Sequence, residues 1–174
     1  MQFFAIILLC VDAAIIYGIL HDQITARLCV EYFTIGHPPI FGTDDPTVLA
    51  IVWGILATWW VGLLLGLPLA LVARLGPRPR IDARSFIHPI AVLLVVMAAC
   101  ALLAGIIGRL LAGAGIVYLI GPLASRVPAD KHVAFITDLW AHDASYLVGF
   151  LGGIVIIVQT WRRRKRPFVG PPQC

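Results

Sequence analysis

PTVLAIVWGILATWWVGLLLGLPLALVA, residues 46–73, runs for 28 residues without Asp, Glu, Lys, Arg or His. A helix needs about 20 apolar residues to cross the hydrocarbon core of a bilayer. This stretch is longer: at 1.5 Å per residue it measures about 42 Å against a core of about 30 Å, so it tilts or begins among the headgroups. Residues 85–108 form a second stretch, 24 residues free of Asp, Glu, Lys and Arg, and 144–161 and 1–20 are two shorter ones, the last interrupted only by Asp12. These runs predict an all-α integral membrane protein with four transmembrane helices, at about 2–20, 47–73, 86–108 and 144–161, in a single domain over residues 1–166. The tail 167–174, with Pro167, Pro171 and Pro172, is expected to be disordered and cytoplasmic.

Composition agrees with the patterning. Of 174 residues 60% are apolar and 13% charged, where soluble domains have roughly 45–50% and about 25%; mean hydropathy is +0.95. The connections are too short to hold a soluble catalytic or nucleotide-binding domain, and no G-x-x-x-x-G-K-[ST] phosphate loop occurs. The net charge of +4 does not indicate nucleic acid, because the basic residues sort by membrane side. Arg74, Arg78, Arg80 and Arg84 lie between spans two and three, and Arg162, Arg163, Arg164, Lys165 and Arg166 follow span four. The positive-inside rule makes both segments cytoplasmic, with both termini, and leaves Arg27, Arg109, Arg126 and Lys131 outside. The expected partners are the lipid bilayer and other membrane-protein subunits.

Cys10, Cys29, Cys100 and Cys174 form no C-x-x-C pair, so neither a disulfide framework nor a cysteine zinc site is indicated, and Cys174 fails the prenylation pattern. Residues 21–35 are open to two readings: continuation of the first helix, or an extended segment over the β-branched and aromatic Val30–Ile35. Gly36-His37-Pro38-Pro39 is a turn, and Asp45-Pro46 starts span two with a carboxylate N-cap and proline at the first helical position. Pro68 is expected to kink the inner end of that span.

Ala50, Gly54, Thr58, Gly62, Gly66 and Ala70 make a small-xxx-small stripe on span two, and Ser145, Gly149 and Gly153 repeat it on span four. Such stripes let helix backbones approach closely in lipid, which makes spans two and four the expected contact. Between spans three and four, Leu110–Ala124 reads as a shallow interfacial or re-entrant helix, and Pro128–Trp140 as a short amphipathic helix lying on the outer face.

The scarce ionisable groups are unequally shared. On this topology His21, His37, His132 and His142, with Asp22, Glu31, Asp44, Asp45, Asp130, Asp138 and Asp143, fall outside. His21-Asp22 ends span one and His142-Asp143 begins span four, so the two pairs share a depth and meet if those spans are neighbours. Imidazole and carboxylate are the ligands of zinc, iron and manganese. Asp138 and His142, four apart, share a face if the helix is continuous. His21, Asp22, Glu31, His37, Asp138 and His142 are therefore the candidate divalent-metal ligands, although no H-E-x-x-H or comparable motif supports them. The competing reading makes these residues caps and solvated polar groups, with Asp143 capping span four and Glu31 paired to Arg27.

Asp12 stands near the middle of span one. A central aspartate costs roughly 2.5–3.5 kcal/mol on the insertion scale, so it is expected to face protein or water, with Thr58 and Cys100 at similar depth as partners.

HDQITARLCVEYFTIGHPP, residues 21–39, with WAHDASY, residues 140–146, resembles passages in an uncharacterised group of bacterial polytopic inner-membrane proteins. The resemblance implies a bacterial cytoplasmic membrane and carries over no activity, substrate or cofactor. Three functional classes follow from the residues: a non-catalytic component of a larger membrane assembly, favoured by small size and the absence of a motif; a metal-dependent or redox enzyme at the outer face; and a small proton- or ion-coupled transporter using Asp12.

Overall fold

The computed structural model describes residues 1–40 and 42–165; the expected disordered tail, 167–174, lies outside them. The described chain is helical: α1 (Gln2–Leu28), α2 (Val30–Thr34), α3 (Pro46–Leu56), α4 (Trp59–Arg74), α5 (Ile87–Gly113), α6 (Gly121–Arg126) and α7 (His132–Lys165), with 3₁₀ turns at Ala83–Phe86 and Ala129–Lys131. Four segments are long and apolar enough to cross a membrane: Gln2–Leu28, Pro46–Arg74, Ala83–Gly113 and Ala129–Lys165. Their outward faces, with Leu20, Val95, Leu102 and Leu147 well exposed, offer lipid an apolar surface.

The first helix continues past His21 to Leu28 and stops at Cys29, whose backbone is extended (φ −150°). One reading of 21–35 therefore holds for its first half, and the remainder is the short helix α2. Span two starts as its sequence predicts, with the Asp45 side chain accepting from the backbone N–H of Thr47 (2.8 Å) and Val48 (3.0 Å) ahead of Pro46. Its interruption is not at Pro68, through which α4 passes, but at Ala57–Thr58. There the Thr58 hydroxyl donates back to Gly54 O, a bond that competes with the helical ladder. The Val61 N–H then turns to Thr58 O, and the carbonyl of Ala57, released from the ladder, accepts from the Tyr146 hydroxyl at 3.3 Å.

Small residues set the packing, in a different pairing from the expected one. The stripe of span two faces α1: a Cβ on Gly54 would lie 2.5 Å from Ile19 N, and one on Gly18 would lie 2.6 Å from Gly54 O. A Cβ on Gly62 would meet Cys10 O at 2.7 Å. Spans one and two thus touch backbone to backbone. The glycines of α7 instead leave holes for side chains, Met97 at Gly149, Leu93 at Gly152 and Leu65 at Gly153, so α7 packs chiefly on α5 and secondarily on α4. A glycine that admits a neighbour's leucine cannot at the same time admit a backbone, which is why the two stripes do not meet.

Span four is also longer than its uncharged core suggests. Pro128–Trp140 is not a separate helix on the surface: from His132 it belongs to α7, unbroken for 34 residues and about 51 Å at 1.5 Å per residue. Asp143 consequently caps nothing and lies exposed within the helix. Leu110–Ala124 is likewise not one helix; α5 ends at Gly113, the chain turns through Gly115 (φ +70°), and α6 begins at Gly121.

Apolar side chains close the bundle at both ends. Phe33, Leu49, Phe135 and Ile136 form one core beside α2, and Ile6, Leu69, Phe86 and Ile90 form the other. At this second, arginine-rich end, Arg164 is buried and acts as a clasp. Its Nε donates to Pro79 O (2.7 Å), Nη2 to Arg78 O (2.8 Å), and Nη1 to Leu75 O (2.9 Å) and Val72 O. One guanidinium therefore satisfies the carbonyls released at the C-terminus of α4 and in the following loop, which Arg74–Asp82 (2.8 Å) holds from the other side. Arg164→Met is expected to lower stability by about 2–3 kcal/mol, against about 0.5 kcal/mol or less for the exposed neighbour Arg163→Met. Denaturation midpoints in detergent check the contrast; equal effects would show that the clasp contributes nothing.

Candidate metal centre

Helical spacing brings the polar residues of α1 and α7 to one place. On α1, Tyr17 and His21 are one turn apart, with Asp22 next to His21; on α7, Asp138, His142 and Ser145 share a face. Tyr17 Oη and Ser145 Oγ are 2.8 Å apart, fixing the two helices side by side. One turn further along, His21 meets His142 edge to face with ring centroids 4.5 Å apart, and Tyr32 of α2 stacks on His142 at 4.5 Å. Two aromatic neighbours thus leave the His142 ring little freedom to turn.

The hydrogen bonds of His142 define its tautomer. Nδ1 is 2.8 Å from Asp138 O, and because a carbonyl only accepts, Nδ1 carries the proton. In the neutral ring Nε2 is then a bare lone pair, and it faces Asp22 Oδ1 at 3.2 Å. A lone pair and a carboxylate oxygen repel unless a cation sits between them, either a proton or a metal ion. An Nδ1–H held by a carbonyl with a free Nε2 is also how a metal-ligating histidine is oriented.

Of the six candidate ligands, the structure brings three together: one ligand atom each from His21, Asp22 and His142 lies within 4.8 Å of the others. Asp138 stands beside them, fully buried, and neither carboxylate oxygen has a hydrogen-bond partner; the buried His21 Nε2 also has none. Glu31 and His37 are engaged elsewhere. Glu31 pairs with Lys131 (3.5 Å) and accepts from Cys29 Sγ (3.5 Å). Its expected partner Arg27 donates instead to Gln23 and to Thr47 Oγ1, since the break at Cys29 takes Glu31 off the face of α1. Burial, reinforced by the carboxylates of Asp138 and Glu31, pushes the Cys29 thiol up to about 12, in keeping with its role as donor to Glu31.

His37 Nδ1 donates to Tyr32 O (2.9 Å), and its ring lies 4.6 Å from that of Trp53. It does line, with His21, Asp22 and His142, a partly open pocket of about 80 Å³.

Asp12 is exposed on α1 and lines neither this pocket nor the larger one between α1 and α5. Its expected partner Thr58 is committed to Gly54 O. Sequence reading also overlooked Tyr17, Tyr32 and Ser145. The signal for two of them was present, because Tyr17 is one turn before His21 and Ser145 one turn after His142.

This is a multi-pass helical membrane fold with an imidazole–carboxylate cluster near one end of the bundle. No family model matches the chain, and no curated protein or solved structure shows significant similarity to it.

Burial holds His37 below the ordinary imidazole value, with its bond to Tyr32 O opposing the shift. The unfolded chain therefore binds a proton at this residue first as pH falls through about 6.5, and stability declines from neutral pH downward. His37→Asn is expected to flatten the fall in denaturation midpoint between pH 7 and 5. A profile as steep as that of the wild type would remove His37 from the pH response.

Proposed function

We propose that this is a metal-binding membrane protein whose His21, Asp22 and His142 hold one divalent transition ion, zinc, iron or manganese, close to the outer face of a bacterial cytoplasmic membrane. The observation that carries the reading is the confrontation of the His142 Nε2 lone pair with Asp22 Oδ1 at 3.2 Å. Neighbouring ligands about 2.0–2.2 Å from zinc stand about 3.4 Å apart in a tetrahedral site, close to this separation. A shared proton needs only these two atoms, whereas the convergence of His21 as a third donor favours a metal. Two imidazoles and one carboxylate leave coordination positions open, which is the pattern of catalytic zinc and non-haem iron sites. A bound ion would supply Lewis-acid or redox chemistry there. The chain's own residues orient His142 through Asp138 O and Tyr32, and exclude bulk water by burying the cluster. The outward placement rests on the positive-inside rule, which assigns nine of the 13 basic residues, eight arginines and Lys165, to the opposite, cytoplasmic side with both termini.

Tag-free protein from metal-replete cells is expected to contain about one equivalent of metal, with affinity reduced by at least about tenfold in His142→Ala and Asp22→Asn. Metal-free protein that also fails to take up zinc, manganese or iron in titration would overturn the reading.

Asp12 favours a second reading, in which the chain is one component of a larger membrane assembly. A carboxyl exposed near the middle of a span, at roughly 2.5–3.5 kcal/mol on the insertion scale, gains from a polar partner on a neighbouring subunit. Asp12→Leu should then release bound subunits, or reduce the oligomer, in mild detergent; light scattering of wild type and variant as identical monomers would eliminate this reading.

A further inference from the structure

The second cavity, about 670 Å³, lies between α1 and α5. These helices touch only sparingly, each packing on other partners, and α7 forms the floor between them with Thr137, Asp138 and Ala141. The groove stays unfilled because α5 places Ala98, Ala101 and Gly105 along it, at the spacing of one helix face. Its rims are apolar and exposed, with Leu20 and Ile24 on one side and Val95 and Leu102 on the other, so it opens sideways into the hydrocarbon. Along α5 it runs from Leu94 to Arg109, about 22 Å at 1.5 Å per residue, comparable to or longer than half of a core about 30 Å thick.

The chemistry changes sharply at one end. Arg109, which makes no hydrogen bond or ion pair with the described residues, stands in the groove's lining together with His21 and Asp138. Asp138 is 0% exposed with both carboxylate oxygens unpartnered, and His21 Nε2 is likewise orphaned. Leaving such groups buried and unpaired is costly, more so when charged, so a ligand that supplies donors there is stabilised by removing that penalty. An apolar trough one leaflet long, whose lining also carries an exposed cation and a buried carboxylate, matches an amphiphile carrying both head charges.

We infer that the α1–α5 groove binds one phospholipid with a primary-amine headgroup, of the phosphatidylethanolamine kind, its acyl chain along Ala98, Ala101 and Gly105, its phosphate on Arg109 and its ammonium donating to Asp138. Arg109 meets the phosphate through its planar fork. The ammonium supplies the donors that Asp138 lacks; a choline head has the same charge but no N–H, and a glycerol head has no cation. The inference does not depend on a metal at His21, because neither Arg109 nor Asp138 belongs to the three-residue cluster.

Delipidated full-length protein in mild detergent, with chelator present throughout, is titrated with phosphatidylethanolamine, phosphatidylcholine or phosphatidylglycerol of one acyl composition and read by native mass spectrometry. One phosphatidylethanolamine per chain is expected, held about tenfold more tightly than either competitor. Ala98→Phe, which fills the groove from an exposed position, should abolish retention, and Arg109→Gln should weaken it about tenfold. Asp138→Asn should bring phosphatidylethanolamine down to the level of phosphatidylcholine. Equal binding of the three lipids, preference for phosphatidylglycerol, or retention unaffected by Ala98→Phe would each overturn the inference. The Ala98 and Arg109 variants alter exposed side chains and so keep the test decisive if Asp138→Asn fails to fold.

Discussion

In a bilayer, two helices gain little from hiding apolar surface from one another, since lipid tails are as apolar as leucine; what they gain comes from close contact and polar pairing. The approach of α1 to span two at Gly18 and Gly54 is the closest such contact here, with no space for a Cβ on either side. It places α1 against α3 and α4, while α7 meets α4 through Gly153 and α5 through Gly149 and Gly152. Because few backbone positions of α1 and α7 approach one another, the position of His21 and Asp22 relative to His142 depends on these glycine contacts as well as on the Tyr17–Ser145 bond. A side chain at Gly18 would displace α1 from the cluster as surely as a substitution in the cluster itself.

Polar groups then do locally what apolar burial does in a soluble protein. Ser145 and Tyr146, adjacent on α7, reach opposite neighbours: Ser145 pairs with Tyr17 of α1, and Tyr146 takes up the carbonyl that the interruption at Ala57–Thr58 leaves free. Arg164 does the same for the carbonyls at the end of α4. Against this background of satisfied groups, the orphaned atoms of Asp138 and His21 stand out. With Trp53 Nε1 they are buried polar atoms that the fold leaves without partners; Asp138 and His21 both line the larger cavity, and His21 lines the smaller one as well.

The four spans were legible because charge is excluded from long runs such as 46–73 and because Asp45-Pro46 is a local start signal. Which spans touch was not legible: a small-residue stripe says that something approaches, and not whether a backbone or a leucine fills the space, so the stripes of spans two and four were matched to each other when one serves α1 and the other admits Met97, Leu93 and Leu65. The length of α7 was hidden for a related reason. Asp138, His142 and Asp143 look like a polar break, yet in a continuous helix two of them turn inward to the cluster and only Asp143 faces out. His21, Asp22 and His142 could be grouped from their matching depth alone, whereas Glu31 and His37 could not be excluded without knowing that the chain breaks at Cys29 and that Tyr32 O lies within reach of the His37 ring.

The pairing of α1 with α7 has a consequence for how the protein is made. Tyr17 and Ser145 are 128 residues apart, and Asp22 and His142 are 120 apart, so an earlier span depends on a much later one for its polar partners. Until α7 is synthesised and inserted, His21 and Asp22 wait at the end of α1 without them. The glycine contact with span two, available after roughly the first 75 residues at a synthesis rate of about 5–20 residues per second, holds α1 in place through that interval. The order of the spans along the chain is thus also an order of assembly, in which backbone contact comes first and the chemistry of the cluster is completed last.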